Sequence, residues 1–278
     1  MDSDRKPRAS TIMATLESQY KDFFKTNAVR IIHGSCTKFS AVDPNSVDLI
    51  VTSPPYNLGI EYGDHDDSIN YDGYMKFCTE WLISCFGWLK THGRICVNIP
   101  FETAKGGKQT VYADYVQLMK QIGFSHYTTS IWTKGNCPRA GWGTWLSAKS
   151  PLIMPPAEAI VIMSKGGWKR EDAEGKVSDI TKDEFVHWAD CVWQMHCEDR
   201  VRLGHPAPFP IELPRRCIKL LSFVGDTVLD PFLGSGSTMI AAFRHDRKCI
   251  GFDIDEKYCN LAMRRIKREI KIRDGYIF

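Results

Sequence analysis

Apolar positions along the chain fall into two alternating kinds of run. Short stretches at 29–33, 47–52, 94–99, 127–133, 159–163, 227–229 and 249–254 are rich in β-branched residues and bounded by Gly, Pro, Asn or Asp, which predicts buried strands. Between them, 71–90, 111–122, 211–223, 237–245 and 255–271 space their apolar residues three or four apart, as does 13–27 ahead of the first strand, which predicts helices. Alternation of strand and helix calls for crossover connections, so the expected fold class is α/β: a mostly parallel sheet of seven strands with helices on both faces. Residues 1–12 read as a flexible polar tail. Residues 166–204 break the alternation, being charged, aromatic and weakly periodic, and read as a small insertion. It divides the main domain into halves at 13–165 and 205–278.

Composition narrows the class. The chain has 278 residues, of which 43% are hydrophobic and 25% charged, as in soluble globular proteins. No apolar run reaches the roughly 18 residues of a membrane span, and the first residues lack an apolar signal core, so a cytoplasmic protein without a membrane partner is expected. Ten cysteines are scattered without a Cys-x-x-Cys pair, consistent with reduced thiols. His187, Cys191, His196 and Cys197 match no usual zinc spacing, and no metal is expected. A formal charge of +3 permits a nucleic-acid partner without requiring one.

Two segments carry candidate chemistry. In Val228-Leu-Asp-Pro-Phe-Leu-Gly-Ser-Gly-Ser-Thr238 an apolar strand ends at Asp230, a Gly-rich turn follows, and a helix begins near Ser237. Gly234 and Gly236 let backbone approach a ligand closely, and the helix start offers unpaired N–H groups. The turn lacks the third glycine of a dinucleotide fingerprint and the Lys-Ser/Thr of a phosphate loop. Asp253 ends the next strand, a suitable spacing for a carboxylate that binds ribose hydroxyls. In Val47-Asp-Leu-Ile-Val-Thr-Ser-Pro-Pro-Tyr-Asn57 a second apolar strand runs into a rigid turn. Two successive prolines remove two N–H donors, leaving carbonyls and the Ser53 hydroxyl as acceptors for an amino group, with Tyr56 as a flat stacking face.

Together these segments resemble the S-adenosylmethionine-dependent DNA amino-methyltransferases, in which a (D/N/S)-P-P-(Y/F) motif holds the target amino group and an F-x-G-x-G loop binds the methyl donor. Thr52-Ser-Pro-Pro-Tyr56 matches the first and Phe232-Leu-Gly-Ser-Gly236 the second, in the order of the permuted β group. Gly93–Pro100, Trp142–Trp145, Glu158–Lys165 and His205–Pro210 also resemble family segments, so the likeness runs from about Arg30 to Arg268. It implies a Rossmann-like, circularly permuted fold with a target-recognition insertion. It assigns the target base to Ser53, Pro54, Pro55 and Tyr56. It assigns S-adenosyl-L-methionine to Ser35, Asp230, Pro231, Phe232, Gly234, Gly236, Thr238, Asp253, His205 and Phe209. The family usually has Asp where this chain has Ser35, which accepts a hydrogen bond but carries no charge.

The resemblance implies double-stranded DNA as partner. A cognate restriction endonuclease and a second copy of the chain stay open, as does nucleoid association in a prokaryotic cell. Arg139, Lys165, Lys169 and Arg170 flank the insertion and are the expected DNA contacts, with the loop 135–156 as the alternative seat of recognition. The basic run from Arg264 to Arg273 reads as a solvated helix face. A serine at the first motif position leans toward N4 of cytosine over N6 of adenine. Methylation of RNA or of protein glutamine, and a DNA-binding protein without catalysis, are the competing functions.

Overall fold

In chain order the elements are β1 (Lys21–Lys25), β2 (Val29–His33), β3 (Val47–Thr52), α1 (Tyr71–Trp88), β4 (Leu89–Pro100), α2 (Val111–Ile122), β5 (Phe124–Lys134), β6 (Ala157–Lys165), α3 (Lys182–Trp188), β7 (Val192–Met195), α4 (Glu212–Leu221), β8 (Thr227–Asp230), α5 (Ser237–Arg244), β9 (Lys248–Asp253) and α6 (Glu256–Arg273). They come from a computed structural model that describes residues 21–37, 39–57, 69–103, 109–135, 143–151, 153, 156–198 and 209–275. Among these, no helix is long and apolar enough to cross a membrane.

The strands form one sheet in the order β1-β2-β9-β8-β3-β4-β6-β5-β7. Pairing is parallel from β2 through β9, β8 and β3 to β4, and again between β5 and β7. It is antiparallel at β1/β2, β4/β6 and β6/β5. All seven expected strands are present. The two additional ones correct the sequence reading. Residues 21–25, expected inside a helix, form edge strand β1 against β2. Phe23 and Phe24 suit a helical stripe as well as a strand, and the open edge of β2 decides between them.

The second addition, β7, arises inside 166–204. Trp193 and Met195 of β7 are buried in the core, and Trp193 Nε1 donates to the Trp188 and Asp190 carbonyls. Glu184 of α3 pairs with Arg215 and Lys219 of α4. The capping box between Thr181 and Glu184 starts α3. The described residues of this insertion therefore form a margin of the main sheet.

Side chains alternate across the central strands. Ile50, Ile95, Val97 and Val161 face a core built with α1 and α2. Leu49, Val51, Cys96, Ile160 and Ile162 face one built with α4, α5 and α6. The chain leaving β3 thus turns to one face and the chain leaving β8 to the other. Since β3 and β8 are neighbours, their carboxyl ends flank a crevice, the place where open α/β sheets bind ligands.

Candidate active site

A cavity of about 340 Å³ opens at that crevice. The turn Ser53–Tyr56 after β3 forms one wall, Pro231–Ser235 and Ser237 after β8 another, and Asp253 and Ile254 after β9 a third. Gly34, Ser35 and Cys36 follow β2, while Phe77, Phe209 and Tyr258 close the sides. Residues nearly 180 positions apart in sequence therefore share one small space.

The Gly-rich turn is held from below. Asp230 is fully buried; its Oδ1 accepts the Thr52 hydroxyl at 2.8 Å and the Phe232 N–H at 3.1 Å. Desolvation pushes its carboxyl up to about 7 against those hydrogen bonds. Thr238 is also buried and donates to the Val51 carbonyl at 3.3 Å, fixing the first turn of α5 to β3. Gly236 caps α5 in the left-handed region at φ 81°, with its Cα hydrogens toward Ala262 of α6. Asp230, Thr238 and Gly236 do not line the cavity: they shape the turn, whereas the sequence reading gave them to the ligand directly.

Asp253 does face the cavity. Its Oδ2 accepts the Gly234 N–H at 2.8 Å and its Oδ1 the Asp255 N–H at 2.9 Å. Burial raises its carboxyl to about 6, opposed by these two N–H groups. Gly251, not anticipated from sequence, permits the turn's close approach: a Cβ there would lie 2.6 Å from Leu233 Cδ1. Ser35 lines the cavity, and its hydroxyl lies 2.9 Å from that of Thr37.

S-adenosylmethionine fits this donor set. Asp253 offers carboxylate lone pairs for a ribose diol, Phe232, Ile254 and Tyr258 offer apolar surface for a purine plane, and Gly34 and Gly234 leave backbone uncovered.

The proline turn is fixed with equal care. Tyr74 of α1 donates to the Pro55 carbonyl at 3.0 Å and lies 2.9 Å from Tyr115 Oη. Asn57, at φ 55°, ends the turn and donates to the Ile69 carbonyl at 2.8 Å. The Tyr56 ring borders the cavity, while its hydroxyl points into the protein. There it meets Ser53 Oγ at 2.6 Å, Asn98 Nδ2 at 2.9 Å and Glu158 Oε2 at 3.0 Å. Glu158 also pairs with Lys134. Asn98, Glu158 and Lys134 escaped the sequence reading. A lone carboxylate opening the otherwise apolar β6 was the available signal.

The expected DNA contacts fare differently. Arg139 and His205 lie outside the described residues. Arg170 is buried, pairing with Asp226 at 2.8 Å, Asp48 at 3.1 Å and Asp172 at 2.7 Å, so its charge is consumed inside the protein. Lys165 donates to Asn45 Oδ1 and the Leu89 carbonyl, both at 2.8 Å. It stands seven residues along β6 from Glu158, roughly 23 Å at strand rise. Lys169 is exposed at that same far rim. These three residues are corrected: they lie at the sheet end opposite the cavity.

Comparison with known proteins agrees with this geometry. A family model described as DNA methylase, N6_N4_Mtase, matches residues 47–264. Type II methyltransferase M.MjaVI of Methanocaldococcus jannaschii is 43% identical over 64% of this chain and 91% of its own. M.HpaI of Haemophilus parainfluenzae is 30% identical over 82% of this chain and 70% of its own. Among solved structures, TTHA0409 of Thermus thermophilus, complexed with S-adenosyl-L-methionine, superposes with a TM-score of 0.67 at 29% identity, over 86% of this chain and 94% of that one. The cytosine-N4-specific PvuII DNA methyltransferase shares the fold, with a TM-score of 0.69 at 20% identity over 87% and 88% of the two chains.

Proposed function

The chain belongs to the N6/N4 DNA methylase family, whose methyl donor is S-adenosylmethionine, and from that premise we propose that it methylates N4 of cytosine at a specific sequence in duplex DNA. The observation that carries this reading is the shared cavity, which brings the Ser53–Tyr56 turn to the Gly-rich turn and Asp253.

When bound, S-adenosylmethionine supplies an electrophilic methyl group on a sulfonium. The chain's own residues supply position. Asp253 and the Gly234 turn hold the donor against one wall. The target base leaves the duplex, at a cost of a few kcal/mol, and stacks on the Tyr56 ring. Ser53 Oγ and the Pro54 carbonyl accept from its amino group. Pro55's carbonyl is already held by Tyr74, so Pro54 offers the remaining acceptor of the turn. Two acceptors on one amino group draw its nitrogen toward tetrahedral geometry and free the lone pair for in-line attack. In that attack the N–C bond would form as the S–C bond breaks, the thioether leaves as S-adenosylhomocysteine and the surplus proton passes to solvent. Orientation supplies most of the rate. Methylation of an amino nitrogen needs no thiolate, and burial pushes Cys36, which lines the cavity, far above the ordinary thiol range.

Serine at the first motif position supports cytosine N4 over adenine N6. The names of the relatives support a type II system, in which methylation protects a site from a companion endonuclease. The test is incubation with methyl-labelled S-adenosylmethionine and plasmid DNA from a methylation-deficient host, followed by digestion to nucleosides. Label in N4-methyldeoxycytidine is expected. Label in N6-methyldeoxyadenosine would transfer the assignment to adenine, and unlabelled DNA would overturn it.

A further inference from the structure

Behind the Tyr56 ring, five side chains from four strand ends, that of Tyr56 included, form a connected chain of hydrogen bonds. Lys134, at the end of β5, pairs with Glu158 Oε1 at the start of β6, and its ammonium lies 5.0 Å from the Trp132 ring centre. Glu158 Oε2 takes Asn98 Nδ2 of β4 at 2.5 Å and Tyr56 Oη at 3.0 Å. Tyr56 Oη lies 2.6 Å from Ser53 Oγ, which also sits 3.3 Å from the Asn98 carbonyl. Glu158, Asn98 and Tyr56 are all buried.

Hydrogen-bond chemistry gives this chain a direction. A carboxylate paired with an ammonium only accepts, so the Tyr56 hydroxyl donates to Glu158. With its proton committed, the Tyr56 oxygen accepts from the Asn98 amide and from Ser53. The Ser53 proton therefore points inward, to Tyr56 or to the Asn98 carbonyl, and the Ser53 lone pairs face the cavity.

We propose that Glu158 is a specificity-determining positioning residue: through Tyr56 it fixes Ser53 as a hydrogen-bond acceptor, so that the site admits a base bearing an amino group and rejects its keto counterpart. An amino group meets the Ser53 lone pairs with N–H. A keto oxygen meets them with lone pairs of its own, leaving both oxygens unmatched in a buried place. Glu158 touches neither base nor donor and acts only through the two hydroxyls. The inference rests on the reading of Ser53 and Tyr56 given under Proposed function.

The test uses two duplexes that differ only at the methylated base, once digestion has identified it and mapping has located it: cytosine against uracil, or adenine against hypoxanthine. The ratio of their dissociation constants is measured with S-adenosylhomocysteine present for the intact protein, Glu158→Gln and Tyr56→Phe. The cost of extruding each base is common to all three proteins and cancels when ratios are compared. A glutamine offers an N–H as well as an oxygen, so the chain can reverse; phenylalanine keeps the ring and cuts the chain. In both variants amino-over-keto preference should fall about tenfold or more, with affinity for S-adenosylhomocysteine unchanged. Should Glu158→Gln fail to fold, Tyr56→Phe, which removes one oxygen, carries the test alone. A preference that persists in the folded variants overturns the role of Glu158 and leaves the proposed function standing. An intact protein that labels no DNA overturns the proposed function itself.

Discussion

The Asp253 carboxylate accepts the Gly234 N–H at 2.8 Å, tying the end of β9 to the turn that follows β8. Two walls of the cavity thus share one hydrogen bond, and the state of this carboxyl bears on both. Desolvation raises it to about 6, despite the N–H groups of Asp255 and Gly234.

Cofactor affinity should follow that titration. In the proposed role, Asp253 ionised above pH 6 would accept strongly from ribose hydroxyls; below it the acid loses an acceptor and gains a proton. One unit below its pKa about a tenth of the carboxylate remains, so S-adenosylmethionine should bind about tenfold more weakly at pH 5 than at pH 8. Calorimetry at both values checks this. Asp253→Asn should bind weakly at both, with the pH dependence gone; a pH dependence kept by that variant assigns it to another group.

Asp230 makes a prediction about stability. Its carboxyl sits near 7 in the fold against an ordinary value of 3.8, chiefly because burial disfavours the charge. The folded state therefore holds its proton more tightly than the unfolded chain. That contribution is complete below about pH 4 and is lost as pH rises through 7. Asp230→Asn stays neutral and keeps an oxygen for Thr52 and Phe232. It should be more stable than the parent by on the order of 1–3 kcal/mol at pH 8 and nearly equal to it at pH 4. Urea unfolding at both pH values measures the difference, and a variant less stable at pH 8 would show that the charge is not disfavoured there.

How the sequence relates to the structure differs from element to element. The strand ending at Thr52 and the turn to Tyr56 were legible because apolar run, double proline and aromatic are contiguous. The Gly-rich turn was legible for the same reason, though local pattern could not separate residues that line the cavity from those that brace it. Asp230 and Asp253 look alike in sequence, each closing an apolar strand, yet one is wholly enclosed and the other faces the cavity. Glu158 was hidden because Asn98 and Tyr56 come from β4 and the turn after β3, which meet the start of β6 only in the folded sheet. Arg170 misled because a buried guanidinium and a DNA-binding one read identically until Asp48 and Asp226 are seen around it.

Arg170 and its neighbour Lys169 should consequently separate in experiment. Arg170→Ala takes a buried guanidinium from Asp48 and Asp226, which keep Lys90 and Lys176 as partners, and should cost about 1.5–3 kcal/mol. Lys169→Ala changes an exposed side chain and should cost less than about 0.5 kcal/mol. Neither should alter the salt dependence of DNA binding, because both stand at the far rim of the sheet. Denaturation midpoints and filter binding across a salt series measure both effects. A salt slope reduced by Lys169→Ala would bring DNA to that rim after all.

The opposite rim, at the carboxyl ends of β3 and β8, carries the cavity. The connection from β5 to β6 leaves and rejoins the sheet at Lys134 and Ala157, beside Glu158 and the Tyr56 turn. Within it Gly143 and Pro151 bridge a hairpin, closed by the Thr144 N–H and hydroxyl on the Ser150 carbonyl at 2.8 and 3.0 Å. At its tip Trp145 and Leu146 are 65% and 88% exposed, followed by Ser147 and Lys149. Leu146 sits at φ 51°, a conformation a leucine adopts only when its surroundings impose it. On the proposed reading, in which the target base leaves the duplex, Trp145 and Leu146 of this connection suit insertion between base steps, where they would replace the stacking the duplex loses. Replacing Trp145 and Leu146 together by Ser should weaken DNA binding about tenfold while cofactor affinity is unchanged. The salt slope should also stay constant, since no phosphate contact is lost, whereas Lys149→Ala should lower the slope by about one. Fluorescence of 2-aminopurine at the target position reports extrusion directly: the intact protein should raise it and the double variant should not. Equal enhancement by both would mean that the base leaves the helix without help from this hairpin.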